Sequence, residues 1–271
     1  MQKSYKKEYA LFYRAEAVGP SLMQWLDNNI FTRHEEWQGF FHQGRREKSY
    51  CINPGEQIFV KCFLLDKRQK VAYYVRSVSR AWRAFRMSYF LFRKGIPTPE
   101  PLAYALIKKG PNKGRELLFT RWLEHTKPLG LFADTFFSDR TAASYLKEKR
   151  AFAVALGSFV RQIHVQGVYH GDFNINNILI RAGHKYELFL IDTADIRSLN
   201  WISQYRIFKN LDEVNRFFLD TRLVTRVDRL RFLKAYLGSQ GSDRQVLRKY
   251  WFLIQNRTEK RLKIHQKEFK K

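Results

Sequence analysis

The sequence predicts an α+β fold in two lobes, a small antiparallel β lobe over residues 1–119 and a mostly helical lobe over residues 120–271. Three observations predict it. Two strand-like runs, Ser49 to Ile52 and Gln57 to Leu64, flank Asn53-Pro54-Gly55-Glu56, whose residue types suit a hairpin turn. A segment from Val71 to Lys94 carries apolar residues at helical spacing and stops at Gly95, with Pro97 and Pro99 just beyond. Farther on, a helical segment, a polar loop and a second hairpin follow one another between Ala151 and Asp192. A chain of 271 residues with 45% hydrophobic and 16% aromatic content can bury a sizeable core, which excludes a disordered protein.

In the first lobe, Glu8 to Asn29 mixes helical spacing with Gly19-Pro20, and the basic stretch Gly44-Arg45-Arg46-Glu47-Lys48 leads into the hairpin. Lys61 lies in the second strand, within Ile58-Phe59-Val60-Lys61-Cys62-Phe63, where a lysine either snorkels to solvent or has a task. The next helix puts Val75, Val78, Trp82, Phe85, Tyr89 and Phe92 on one stripe. Its other face carries Arg76, Arg80 and Arg83, a solvated basic face or an anion-facing ridge. In the second lobe, Phe152, Ala155, Leu156, Phe159, Val160 and Ile163 have helical spacing, and Gly167 can stop that helix. Asn177 to Ile180 and Tyr186 to Ile191 flank the polar turn Arg181 to Lys185, a hairpin that delivers the chain to Asp192.

The chemistry is concentrated in His170-Gly171-Asp172-Phe173-Asn174-Ile175-Asn176-Asn177 and in Leu190-Ile191-Asp192. Phosphoryl transfer of the protein-kinase type needs a carboxylate that orients and deprotonates the acceptor hydroxyl. It needs an amide oxygen a few residues on for one Mg²⁺, and a second carboxylate at a neighbouring strand end to hold metal against the ATP phosphates. Asp172, Asn177 and Asp192 supply these groups in that order. The alternative is an ordinary loop that holds His, Asp and Asn by chance. Lys61 lies on the strand before the long helix, where such a site places the lysine that pairs with the α and β phosphates. Two features depart from the pattern. No G-x-G-x-x-G precedes Lys61, which leaves the loop at Gln43-Gly44-Arg45-Arg46 or the turn at Gly55 to cover the phosphates. Between Lys61 and Glu100 the only carboxylate is Asp66, ahead of the helix, so no helix glutamate is available to Lys61. Either Asp192 and nucleotide alone orient the lysine, or an acid from elsewhere does, or activity is weak.

Trp82-Arg83-Ala84-Phe85, Gly95-Ile96-Pro97-Thr98-Pro99-Glu100-Pro101-Leu102-Ala103, His170 through Leu179 and Leu190-Ile191-Asp192 together resemble the bacterial lipopolysaccharide kinase family, within the protein-kinase-like superfamily. Lys209-Asn210-Leu211-Asp212 and Asp228 through Leu233 resemble its later segment, and the similarity spans roughly residues 45 to 237. The resemblance implies ATP- and Mg²⁺-dependent transfer of phosphate to a Kdo or heptose hydroxyl of the lipopolysaccharide inner core. The Asp-Phe-Asn-x-x-Asn-Ile-Leu form is similar to the Kdo kinases more than to the heptose kinases. It further implies Asp172 as catalytic base, Asn177 and Asp192 as metal ligands, and Lys61 as the phosphate-binding lysine. His170 becomes a structural member of the loop, Asp212 the helix acid that steadies it, and Leu118 to Trp122 the strand and hinge along which adenine lies.

With 50 Lys+Arg against 25 Asp+Glu, the net charge of +25 calls for nucleic acid, an anionic membrane surface or a phosphorylated substrate. Under the resemblance the expected partners are a lipopolysaccharide precursor and the anionic inner-membrane surface, where each basic residue contributes about 1 kcal/mol; no nucleic acid is expected. The segment from Arg244 to Lys271, with Trp251, Phe252, Leu253 and Ile254 inside a basic run, suits an interfacial helix or a terminal helix packed on the large lobe. No apolar stretch approaches the roughly 20 residues of a membrane span, and Met1 to Glu16 contains no signal-peptide core, so a cytoplasmic, peripheral location is expected. Cys51 and Cys62 lack metal-ligand spacing and read as reduced strand residues. Other readings are a small-molecule or protein kinase of the same fold, a pseudokinase and an RNA-binding protein. The RNA reading leaves Asp172, Asn177 and Asp192 without a task, and the pseudokinase reading meets a complete set of metal ligands.

Overall fold

The computed structural model describes residues 1–29, 32, 36–43, 47–53, 55–63, 79–138, 145–183, 185–220 and 224–268. Expectations for Val75, Arg76 and Val78, for Asp66 and for Gly44 to Arg46 lie outside these residues. The chain forms two compact units, Met1–Glu124 with Asp192–Ala194, and His125–Ile191 with Asp195–Lys271.

The first unit contains strands β1 (Gln2–Tyr5) and β2 (Tyr9–Tyr13), helix α1 (Pro20–Asn29), strands β3 (Phe40–Gln43), β4 (Glu47–Ile52) and β5 (Ile58–Phe63), helix α2 (Arg80–Arg93), and strands β6 (Pro101–Ile107) and β7 (Glu116–Arg121). They make one antiparallel sheet of order β1-β2-β6-β7-β5-β4-β3. The helical spacing read between Glu8 and Asn29 holds only for α1; its first part is strand β2. Tyr9, Ala10 and Leu11 are all buried, because β2 lies inside the sheet, and a strand covered on both faces shows no alternation to read.

Strand β5 does alternate. Ile58, Val60 and Cys62 enter the core that Leu22 and Leu26 of α1 share with Phe119 of β7. Phe63 faces the other way, into a cluster with Ala81, Ala84 and Phe85 of α2, Tyr104, Leu118 and Ala194. Successive side chains point to opposite faces of a strand, so Lys61 shares the α2 face with Phe63.

Helix α2 starts at Ser79, whose hydroxyl accepts from the Trp82 amide at 3.0 Å. It ends where Gly95 takes φ +66, the left-handed conformation that a glycine supplies without strain. Its buried face is Ala81, Ala84, Phe85, Ser88 and Leu91, not the expected aromatic stripe: Phe92 is 38% exposed, and Trp82 and Tyr89 are half-buried. Small residues let the helix approach the sheet closely. Trp82 packs from the side, its ring 4.8 Å from that of Phe12 and 5.2 Å from that of Tyr104. Burying Phe85 fully contributes on the order of 1.5–3 kcal/mol.

The second unit contains β8 (Lys127–Pro128), α3 (Leu129–Ser138), α4 (Tyr145–Val165), β9 (Val168–His170), β10 (Ile178–Arg181), β11 (Glu187–Leu190), β12 (Ile196–Ser198), α5 (Gln204–Asp220), α6 (Arg226–Leu237) and α7 (Arg244–Glu268). The expected hairpin is β10 against β11, with β8 on the other side of β10, and β9 pairs with β12. Gly167, at φ +74, stops α4 as expected and donates its amide to the His164 carbonyl at 3.0 Å. Thr225 and Asp228 form a reciprocal cap at the start of α6, and Lys149 of α4 reaches the buried Asp228 at 2.8 Å. Helix α7 buries Ile254 and Thr258, and the Thr258 hydroxyl donates to Asp212 of α5 at 2.7 Å, so this stretch of the basic tail is packed. The expected mixed α+β architecture is the one observed, rich in sheet in its N-terminal part and in helix in its C-terminal part. Cys51 and Cys62 are free thiols on β4 and β5. Among the described residues no helix is long and apolar enough to cross a membrane.

Candidate active site

In the first unit, Lys61 and Asp192 meet across 131 positions of chain, with Lys61 Nζ 3.1 Å from Asp192 Oδ1. Arg80, the first residue of α2, approaches Asp192 Oδ2 at 3.6 Å, so this arginine belongs to the candidate site rather than to a solvated ridge. Arg83, one turn on, is exposed. The missing partner acid of Lys61 is Glu47, whose Oε1 lies 2.7 Å from Lys61 Nζ. Two cations and two carboxylates thus form one network, in which the Lys61 side chain is only 14% exposed.

The segment carrying Asp192 is pinned to α2. The Thr193 hydroxyl donates to the Ala84 carbonyl at 2.8 Å and accepts from Ser88 Oγ at 2.8 Å, and Ala194 is buried in the α2 cluster. Asp192 itself adopts φ +53, a conformation uncommon outside glycine that aspartate tolerates better than most residues. Its backbone outlier and its ion pairs coincide in one residue, a combination that clusters at functional positions.

In the second unit, the loop after β9 is held almost wholly through main-chain atoms. The Asp172 amide donates to His170 Nδ1 at 3.2 Å, which leaves the ring proton on Nε2, 3.3 Å from the Ile191 carbonyl. The Gly171 amide donates to the Asp195 carbonyl, and the Ile191 amide to the Asn177 carbonyl. Asn174 caps a single 3₁₀ turn, Ile175–Asn177, by accepting from the Asn176 amide at 2.9 Å. Asn177 Nδ2 donates to the Asp172 carbonyl at 2.9 Å, which turns the amide oxygen of Asn177 outward from that bond. Phe173 is fully buried beneath the loop, and the Asp172 side chain is exposed.

Helix α5 supplies the second layer. Lys209 Nζ donates to the Gly171 carbonyl at 2.7 Å, Asn210 Nδ2 to the His170 carbonyl at 2.8 Å, and the Phe173 amide donates to Glu213 at 2.9 Å. The acid that steadies the loop is therefore Glu213, not Asp212. At 100° per residue, positions 209, 210 and 213 share one face of α5, while the fully buried Asp212 turns to α7, taking the Thr258 hydroxyl with Arg257 and Arg261 nearby at 3.7 and 3.9 Å. Burial raises the Glu213 pKa against the opposing charge of Lys209. Behind Asn210 lies His164 of α4: Nε2 donates to Asn210 Oδ1 at 3.2 Å, and Nδ1 accepts from the Tyr236 hydroxyl at 3.0 Å. Burial pulls the His164 pKa down to about 4, against the opposing hydrogen bond to Asn210, so the imidazole is neutral near pH 7.

Sequence reasoning missed Glu47 and Glu213 as site members and left Arg80 between a solvated face and an anion-facing ridge. Pairing the predicted hairpin would have exposed the first, since Ser49 lies opposite Lys61 and Glu47 is two residues away on the same face. The i, i+1, i+4 spacing of Lys209, Asn210 and Glu213 would have exposed the second.

The family whose sequence model matches is the lipopolysaccharide kinase (Kdo/WaaP) family, over residues 66–236. A 3-deoxy-D-manno-octulosonic acid kinase from Xanthomonas oryzae pv. oryzae is 27% identical over 146 residues, 53% of this chain and 52% of the relative. A kinase of the same name from Xanthomonas axonopodis pv. citri matches equally, and the chain thus spans about half the length of the curated relatives it matches. Among solved structures, WaaP in complex with acyl carrier protein superposes with a TM-score of 0.64 at 24% identity, covering 92% of this chain and 98% of that one. The ROP18 kinase domain, solved with AMP-PNP and sucrose, superposes with a TM-score of 0.51 at 12% identity, covering 82% of this chain and 81% of that one. The fold is accordingly protein-kinase-like, as the order of strand lysine, helix, loop and hairpin predicted. Glu47 and Lys61 lie ahead of the family match, and the loop from His170, Asp192 and helix α5 lie inside it; with well over half of its residues matched, the chain belongs to the lipopolysaccharide kinase (Kdo/WaaP) family.

Proposed function

We propose that the chain is an ATP-dependent kinase that transfers the γ-phosphate to a sugar hydroxyl of the lipopolysaccharide inner core, with Kdo favoured over heptose as acceptor. The observation that carries this reading is the Lys61–Asp192 pair, a phosphate-binding cation and a metal-binding carboxylate brought together from distant parts of the sequence. Family membership and the Kdo kinase relatives support the acceptor class.

In this reading Asp172 orients the acceptor hydroxyl and takes its proton as the hydroxyl oxygen bonds to the γ-phosphorus and the bond to the β–γ bridging oxygen breaks. The exposed side chain of Asp172, on a loop whose main chain is fixed on both sides, suits that task. Asn177 Oδ1 and the Asp192 carboxylate are each an oxygen donor of the kind a hard cation prefers, and these are the residues that would hold Mg²⁺. Held by them, Mg²⁺ would supply positive charge against the phosphates of ATP. Lys61 pairs with the α and β phosphates, and Leu118 to Trp122, the end of strand β7 and the residue after it, form the hinge along which the base lies. The excess of basic residues docks the protein on a lipopolysaccharide precursor at the anionic face of the inner membrane.

The test is incubation with labelled ATP, Mg²⁺ and, in parallel, Kdo-lipid A, heptosylated core or RNA. Label in Kdo-lipid A is expected. Label only in heptosylated core would overturn the choice of Kdo, and no ATP turnover with any sugar acceptor would overturn the kinase reading.

A further inference from the structure

We propose that Glu47 is the positioning residue for Lys61, doing from a neighbouring strand what a helix carboxylate does in other kinases; this rests on the nucleotide-binding reading above. Glu47 Oε1 is closer to Lys61 Nζ than Asp192 is, 2.7 Å against 3.1 Å. The β4–β5 ladder explains why. Ser49 is paired with Lys61 and Glu47 with Phe63, so Glu47 is the diagonal neighbour of Lys61 on the same face, within reach of two long side chains. Helix α2 offers no carboxylate anywhere along Arg80–Arg93, and its first turn turns the cation Arg80 toward Asp192 instead.

Charge accounting gives Glu47 its task. Lys61 and Arg80 both lean on Asp192, the residue assigned to the metal. Were Asp192 their only anion, engagement of its carboxylate elsewhere would leave two half-buried cations uncompensated, and their pull would weaken it as a ligand. Glu47 keeps Lys61 compensated and directed while Asp192 is occupied. Both residues sit on strands of one hairpin, tied by main-chain hydrogen bonds, so the pair does not depend on where the helix stands. Where the acid is borne by a helix, helix movement can break the lysine–acid pair and switch the enzyme off. Here the pairing rests on strand register instead.

The experiment is a double-mutant cycle on the full chain, with the dissociation constant for Mg-ATP measured by calorimetry alongside turnover. Glu47→Gln is expected to weaken Mg-ATP binding by roughly 10- to 100-fold, the usual scale for groups that orient a binding residue, and to leave the KM for the sugar acceptor unchanged. Glu47→Asp, which keeps the charge on a shorter arm, recovers part of the affinity. In the Lys61→Met background, Glu47→Gln should add nothing further. Equal losses in both backgrounds, or no loss in the wild-type background, would overturn the role of Glu47 while leaving the kinase reading intact. A wild-type protein without affinity for Mg-ATP would overturn both.

Discussion

The two units hold their candidate site residues by different forces. In the first, Lys61, Glu47, Arg80 and Asp192 are held by one another's charge at 2.7 to 3.6 Å, with side chains partly open to water. In the second, the loop from His170 to Asn177 is held by hydrogen bonds to its main chain from His170, Lys209, Asn210 and Glu213, backed by the neutral His164 and Tyr236. A charge network of this kind contributes little net stability, because desolvation offsets most of the attraction, but its members can exchange partners when an ionic ligand arrives. A loop pinned through its main chain cannot exchange. It holds the main chain of Asp172 in one place, with the side chain exposed. The comparison teaches that the charged groups of the first unit are exchangeable, whereas the main chain of the Asp172 loop is preset.

The sharpest way to test the preset half is Asp172→Asn. Since a positioned base contributes roughly 10² to 10⁴ in rate, turnover should fall by that order while calorimetry returns an unchanged affinity for Mg-ATP. Near wild-type turnover would remove Asp172 from the chemistry.

The next effect is on stability. His164 titrates near 6.5 when exposed and at about 4 in the fold. As pH falls between those values the unfolded chain takes up a proton that the folded chain refuses. The contribution is therefore intact above about pH 6.5 and is lost progressively toward pH 4, by about 3 kcal/mol at the limit. Denaturant titrations across this range should show the slope, and His164→Gln should flatten it.

A smaller change separates the halves from the other side. Asp192→Asn should weaken Mg-ATP binding and turnover together, on the order of 10- to 100-fold, with the melting temperature nearly unchanged because the network adds little to stability. A large fall in melting temperature would show that the network is structural. Smallest of all, Glu213→Gln keeps an acceptor for the Phe173 amide but loses its charge toward Lys209. About 1 kcal/mol of stability is expected to go, together with some turnover and none of the nucleotide affinity, measured by the same titrations.

Much of this was legible in the sequence because it depends on local pattern. The β4–β5 turn, the stop at Gly95, helix α4, the β10–β11 hairpin and the order of Lys61, Asp172, Asn177 and Asp192 all follow from residue types at short spacing. The local patterns failed where burial on both sides erased periodicity, as at β2, or where small residues share the buried face, as on α2, where Ala81, Ala84 and Ser88 are buried with Phe85 while Tyr89 and Phe92 are not. The sequence by itself determined which chemical groups are present and in what order, since backbone propensity and apolar spacing act over a few residues. Only the tertiary structure decided which of them answer one another. Strand register brought Glu47 to Lys61, and the rotation of α5 gave the loop Glu213 while sending Asp212 to α7, because contacts between distant residues depend on register and helix phase, which stay open until the elements are placed against their partners.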